Sequence, residues 1–368
     1  IFSSPLLPFM LRLFSIVDHL TNSVDGLSVV PCSQIDDEVV INEYSSAIGI
    51  ILNRPKALNS VNLNMINLIQ QALDNAKKTN KKLIVIKGAG ERAFCAGGDI
   101  RALAESAKVK NYSYCAEFFS KEFNLDCQIA ELKEDSSLNY ISLLNGITMG
   151  GGVGLSVHSK FVIATESVKF AMPETGIGFF CDVGGSYFLS RLPGRIGEYI
   201  ALTGYRLNIK DLMYCGIVTH YCPSSYLTTL EEELLSSDGS EKSILTILSN
   251  LSKFQKPRVE SILQNRRNNI DTCFSGRTIQ EIYNSLEKLN NSWTKDTIQT
   301  LKLKSPTSLA LELECIRKGR LLNIRDVVKM EFGVAMRCMQ HNDFYEGVRA
   351  LIIDKDNKPN WIPNSIEG

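Results

Sequence analysis

Two glycine clusters and two acidic residues in the middle of the chain have the types and spacing that acyl chemistry needs. Ala93-Phe-Cys-Ala-Gly-Gly-Asp-Ile100 and Leu144-Asn-Gly-Ile-Thr-Met-Gly-Gly-Gly-Val-Gly-Leu-Ser156 each set glycines after an apolar run. Glycine leaves main-chain N–H groups open to approach, and two such groups from separate strand ends can clamp one thioester oxygen as it becomes an oxyanion. A helix starting near Asp99 adds the positive end of its dipole. Taken singly, each cluster also reads as a tight turn. Glu174 and Asp182 follow in Ala171-Met-Pro-Glu-Thr-Gly-Ile-Gly-Phe-Phe-Cys-Asp-Val-Gly-Gly185. Such a loop can fold back so that both acids face one cavity, where Ile177, Phe179 and Phe180 would desolvate a carboxyl group and raise its pKa. The competing reading is structural, with Glu174 and Asp182 as helix caps.

Other chemistries fit less well. A dinucleotide fingerprint fails because Val157 stands where G-x-G-x-x-G requires its last glycine, and no lysine-containing phosphate loop occurs. The G-x-S-x-G elbow around Ser156 is broken by His158. Two residues apart on a helix, those side chains also point to different faces.

The elements that must position these groups alternate. Val39-Val-Ile41 and Ala47-Ile-Gly-Ile-Ile-Leu52 read as a β-hairpin, Leu63 to Lys78 has helical spacing, and Leu83-Ile-Val-Ile86 is a short buried strand. Tyr140 to Leu144 is a strand that enters the second glycine cluster, a helix runs through Val157, and Phe161 to Ala164 resumes the sheet. After Gly204 the pattern becomes helical over 227–235, 242–251, 278–289, 308–317 and 327–339, with no further strands apparent and a turn at 341–343. The alternation argues for an α/β core.

The chain has 368 residues with 40 basic and 40 acidic side chains, so no global field attracts nucleic acid or a lipid surface. Its 10 cysteines are scattered singly, which reads as a reducing compartment and gives no zinc motif. No apolar run reaches the ~18 residues that a membrane span needs. Residues 1–36 read as an extension outside the fold. Within it, Met10-Leu-Arg-Leu-Phe-Ser is compatible with a short organellar presequence, against which Asp18 and Asp25 count.

Together, Ile48 to Asn59, Ala93 to Ile100, Asn145 to Tyr187, Leu202-Thr-Gly-Tyr-Arg206, Ser305-Pro-Thr-Ser308 and His341 to Asp356 resemble the crotonase (enoyl-CoA hydratase/isomerase) superfamily, and within it the branch that hydrolyses CoA thioesters. The resemblance covers nearly everything after residue 38. It implies an α/β crotonase fold: a ββα spiral core over 37–225 and a C-terminal helical region over 226–368. It implies that the amides of Gly98 and Gly151 form an oxyanion hole and that Glu174 and Asp182 are the functional carboxylates. By the same resemblance Glu122, in Phe118-Phe-Ser-Lys-Glu-Phe123, contacts substrate, and Lys56 and Leu58 meet the CoA portion. Hydratases of the superfamily carry a glutamate where this chain has Gly154 and a glycine where it has Asp182. Cys181 stands where the hydrolases commonly have proline.

The implied reaction is hydrolysis of a β-hydroxyacyl-CoA such as 3-hydroxyisobutyryl-CoA. Glu174 attacks the carbonyl to give a mixed anhydride or acts as base towards water, both routes being open. Asp182 holds the 3-hydroxyl. No metal or cofactor is expected beyond the CoA of the substrate, and no nucleic-acid or membrane partner; a homo-oligomer is left open. The rival readings are an enoyl-CoA isomerase or hydratase and a non-catalytic relative associated with mitochondrial ribosomes. Valine breakdown in mitochondria is the family expectation, with peroxisome or cytoplasm as alternatives.

Overall fold

In the computed structural model, which describes residues 38–254 and 260–366, nine strands form two sheets among the described residues. They are β1 (Val39–Glu43), β2 (Ala47–Leu52), β3 (Leu83–Gly88), β4 (Ala93–Cys95), β5 (Asn139–Leu144), β6 (Ile147–Met149), β7 (Phe161–Ala164), β8 (Lys169–Ala171) and β9 (His220–Tyr221). The larger sheet has the order β1-β2-β3-β5-β7-β9 and the smaller one β4-β6-β8. Only the β1–β2 hairpin pairs antiparallel; every other pairing of these strands is parallel. The expected extension over 1–36 lies outside the described residues.

Both faces of the larger sheet are covered, which is why its strands read as unbroken apolar runs. In β3, Ile84 and Ile86 join Ile48, Ile50 and Leu52 in the main core, whereas Leu83 and Val85 join Ala47, Ile141 and Leu143 in a second cluster. The first face packs α1 (Leu63–Lys78), whose Met65, Ile66, Ile69 and Leu73 recur at helical spacing. Further along come α2 (Ile100–Lys108), α3 (Tyr112–Glu131), α4 (Gly151–Val157), α5 (Gly185–Leu189), α6 (Ile196–Thr203) and α7 (Ile209–Cys215). The second face is covered by Leu230, Leu234 and Leu235 of α8 (Leu227–Leu235) and Ile244 and Leu248 of α9 (Glu241–Ser249). Six more helices follow: α10 (Ile262–Cys273), α11 (Ile279–Leu289), α12 (Ser292–Lys302), α13 (Pro306–Gly319), α14 (Ile324–Cys338) and α15 (Asn342–Val348). All nine described cysteines are free and buried.

Several elements differ from the sequence reading. Strands do not end at residue 204, because His220–Tyr221 pairs with Ile163 and Ala164 at the sheet edge. Two residues carry too little periodicity to be read as a strand. The helix expected to open near Ser308 starts at Pro306, with the Ser305 hydroxyl accepting the Ser308 N–H. Residues 341–343 are not a turn: the His341 side chain accepts the Asp343 N–H and caps α15. The long helix α3, which carries Glu122, was not read from the sequence at all.

One side chain ties the loop before α1 to the bend between β3 and β4. Asn59 is fully buried with φ of 57°; its Oδ1 accepts the Arg54 N–H at 3.0 Å, and its Nδ2 donates to the carbonyls of Ala89 and Ala93 at 3.0 and 2.9 Å. Replacing it strands several buried polar groups at once. Asn59→Ala is expected to lower stability by roughly 2–4 kcal/mol, read as a shift of the urea midpoint at unchanged slope.

Candidate active site

Each strand of the larger sheet that feeds the smaller one arrives at the same place. β3, β5 and β7 continue into β4, β6 and β8, and the three parallel ends of the small sheet are followed by Gly97-Gly98, Gly150-Gly151 and Pro173-Glu174. Ligands characteristically bind beyond the carboxyl ends of parallel strands. Val61 bridges to Gly98: its N–H donates to the Gly97 carbonyl at 2.9 Å and its carbonyl accepts the Asp99 N–H at 2.7 Å. This pattern consumes the neighbours of Gly98 and leaves its own N–H unused. Gly150 has φ of 47° and ψ of −123°, a conformation that an L-residue resists, and it turns the chain so that α4 opens at Gly151. The Gly151 N–H lies in the first turn, where no intrahelical acceptor exists. Among the described residues neither amide has a hydrogen-bond partner.

The carboxylates converge on those amides. A Cβ at Gly151 would lie 2.6 Å from Glu122 Oε1 and 3.2 Å from the Gly98 nitrogen, and one at Gly150 would lie 3.2 Å from Glu174 Oε1. Gly98, Gly151, Glu122, Glu174 and Asp182 all line one cavity of about 320 Å³. Its apolar lining includes Phe118 and Phe179, joined by Phe344, Leu351 and Ile352 from the C-terminal segment. Lys56 is exposed and Leu58 half-buried, and neither lines this cavity. Their loop abuts it, because the Leu58 carbonyl accepts the Ala96 N–H at 3.0 Å.

The capping alternative for the two acids does not hold. Neither the short helix beginning at Glu174 nor α5 after Asp182 has a side-chain cap. Glu174 Oε2 and Glu122 Oε1 are instead buried without a hydrogen-bond partner. Burial pushes the Glu122 carboxyl up to about 8. Burial likewise raises Glu174 to about 7, against hydrogen bonding and the charge of Lys304. Asp182 is raised well above the ordinary range, first by burial and then by Glu122 and Glu174. A site with several acids in one desolvated space holds them in unlike protonation states.

Three further buried acids whose charges act on those of the site escaped the sequence reading: Asp126 on α3, Glu312 on α13 and Glu331 on α14. The signal was an acid at a core-facing helical position. Glu312 lies between Leu309, Leu313 and Ile316, and Glu331 between Val327 and Ala335, all buried.

The raised Glu174 carboxyl has a consequence for stability. The folded state binds its proton more tightly than the unfolded chain, so folding loses stability as pH rises from 4.5 through about 7. Glu174→Gln removes that loss. The variant is expected to melt about 3–6 °C above the parent at pH 8, with the gap closing at pH 4.5, as followed by differential scanning calorimetry.

A family model described as enoyl-CoA hydratase/isomerase matches residues 47–368. The chain is 43% identical to 3-hydroxyisobutyryl-CoA hydrolase, mitochondrial, from Danio rerio, covering 91% of this chain and 88% of that protein. It is 42% identical to the Homo sapiens protein of the same name, covering 90% and 86%, and 42% identical to 3-hydroxyisobutyryl-CoA hydrolase 1 of Arabidopsis thaliana, covering 90% and 88%. Among solved structures, a carnitinyl-CoA dehydratase from Mycobacterium thermoresistibile superimposes with a TM-score of 0.83 at 31% identity, over 90% of this chain and 93% of that one. An enoyl-CoA hydratase from Rhodobacter sphaeroides gives 0.81 at 33%, over 90% and 94%. With its spiral of paired strands, its amide-lined cavity and its match over nearly the full length, the chain belongs to the enoyl-CoA hydratase/isomerase family.

Proposed function

We propose that this protein hydrolyses 3-hydroxyisobutyryl-CoA to 3-hydroxyisobutyrate and free CoA. The observation that carries the reading is the meeting of two unpartnered amides, Gly98 and Gly151, with Glu174 in one cavity, in a chain whose relatives at 40–43% identity carry that hydrolase name. The thioester oxygen sits between the two N–H groups, which stabilise it as negative charge develops. Glu174, ionised above about pH 7, either attacks the carbonyl carbon or removes a proton from the attacking water. In both routes the tetrahedral intermediate collapses by breaking the C–S bond, and the thiolate of CoA leaves and takes up a proton; on the covalent route water then cleaves the mixed anhydride, which releases 3-hydroxyisobutyrate and regenerates the Glu174 carboxylate. In a single turnover in ¹⁸O-water, label in Glu174 identifies the anhydride route, because it arises only when water attacks the Glu174 carboxyl carbon of the anhydride.

The remaining acids supply recognition. Asp182 accepts the substrate 3-hydroxyl. Glu122, held mostly neutral at pH 7 by burial, presents a proton to the substrate rather than a second negative charge beside the oxyanion. Lys56 and Leu58 meet the CoA portion outside the cavity. The relatives bear mitochondrial names, and a mitochondrial matrix location fits a substrate of branched-chain breakdown.

Incubation with (S)-3-hydroxyisobutyryl-CoA, with free CoA followed by chromatography, is expected to show enzyme-dependent release. Glu174→Gln is expected to lose about 10³-fold or more in kcat, because both routes need the carboxylate. The kcat/KM profile should fall on the acid side with an apparent pKa near 7. Hydration of crotonyl-CoA without CoA release would overturn the hydrolase reading.

A further inference from the structure

Asp182 is carried by a strained turn that three distant side chains hold in place. Val183, the next residue, has φ of 54°, and Gly184 follows at 76°. A β-branched residue in the left-handed region is a genuine outlier and persists only where its surroundings over-determine it. On one side of the acid, the Cys181 N–H donates to Glu312 Oε2 at 2.6 Å. On the other, Glu331 accepts two amides with two oxygens: Gly184 N–H to Oε2 at 2.8 Å and Ser186 N–H to Oε1 at 2.9 Å. Between them, His158 Nε2–H donates to the Val183 carbonyl at 2.8 Å. Glu331 is fully buried and lies on α14, 147 residues after Gly184. None of the three side chains lines the cavity.

We propose that Glu331 and His158 are positioning residues for the 3-hydroxyl of the substrate: they hold the Val183-Gly184 turn so that Asp182 faces the cavity. The inference rests on the reading of Asp182 given above. A buried carboxylate that takes an amide on each oxygen has no isosteric substitute. Glutamine offers one carbonyl and turns its NH2 against the second N–H, which frees one end of the turn. Neither Glu331 nor His158 hydrogen-bonds the Gly98 or Gly151 amide, and Glu331 lies on a separate helix, whereas His158 caps the end of the helix that Gly151 opens. The effect therefore falls on discrimination rather than on catalysis as a whole.

The test compares kcat/KM for 3-hydroxyisobutyryl-CoA and for isobutyryl-CoA, which lacks the hydroxyl, in the parent, Asp182→Asn, Glu331→Gln and His158→Phe. Asp182→Asn sets the loss of preference that follows from the acid itself. Glu331→Gln is expected to lower the preference for the hydroxylated substrate by about 10-fold, mostly in KM, and His158→Phe by about 3-fold. The phenylalanine ring keeps the volume beside Phe188, so this second variant reads the same support if Glu331→Gln does not fold. Glu331→Gln and His158→Phe lowering both substrates equally, while Asp182→Asn changes the preference, would reduce the clamp to scaffolding and overturn the inference alone. No change of preference in Asp182→Asn would overturn the role of Asp182, and with it this proposal.

Discussion

Six carboxyl groups share one desolvated interior, and that crowding is the constraint around which the molecule is arranged. Glu122, Asp126, Glu174, Asp182, Glu312 and Glu331 are all buried. In a low dielectric they cannot all ionise, since each charge disfavours its neighbours and burial disfavours them all. The fold answers in two ways. Glu312 and Glu331 are given backbone N–H groups, which oppose burial without cancelling it, since burial still raises them to about 8 and about 7. Asp126, with both oxygens unpartnered, is pushed well above the ordinary carboxyl range by burial and by Glu122 and Glu331. Glu174, raised to about 7 and lining the cavity, is a carboxyl that can exchange protons at working pH.

The amides that meet those acids come from sheet geometry rather than from any single motif. Three strands of the larger sheet turn into three strands of the smaller one, and the parallel pairing of β4 with β6 and of β6 with β8 brings their ends side by side. Residues far apart in the chain are thereby set at hydrogen-bond distances without long side chains reaching across. Groups held by main-chain pairing are fixed before substrate arrives, and preorganised dipoles cost no rearrangement as charge develops.

The core strands, α1 and both glycine clusters were legible because apolar runs and glycines carry their own local signal. Gly98, Gly151, Glu122, Glu174 and Asp182 were legible as a set through the resemblance, and all five line one cavity. The strands of the smaller sheet were not, each being three residues long and set by its neighbours rather than by its own pattern. Nor were Glu312 and Glu331, which meet the loop they hold only after about 130–150 residues of intervening chain have folded back. A helix presenting one acid on an apolar face looks the same whether that acid is a defect in the pattern or a hydrogen-bond acceptor. The partner decides, and the partner is not local.

Gly154 and the turn that follows Asp182 compete for one volume. A Cβ there would stand 2.7 Å from Asp126 Oδ2 and 2.7 Å from the Val183 Cβ, so even alanine requires a shift and glutamate has no room. The space is taken from one side by α3 and from the other by the turn that carries Asp182. A side chain at position 154 and the present course of the Val183 turn are therefore not independent. The turn that aims Asp182 into the cavity packs into volume that a side chain at position 154 would need, and glycine is the residue that yields it. On the proposed role of Asp182, the turn that carries the hydroxyl-binding acid and the Asp126 carboxyl together leave no room for a second acid at position 154.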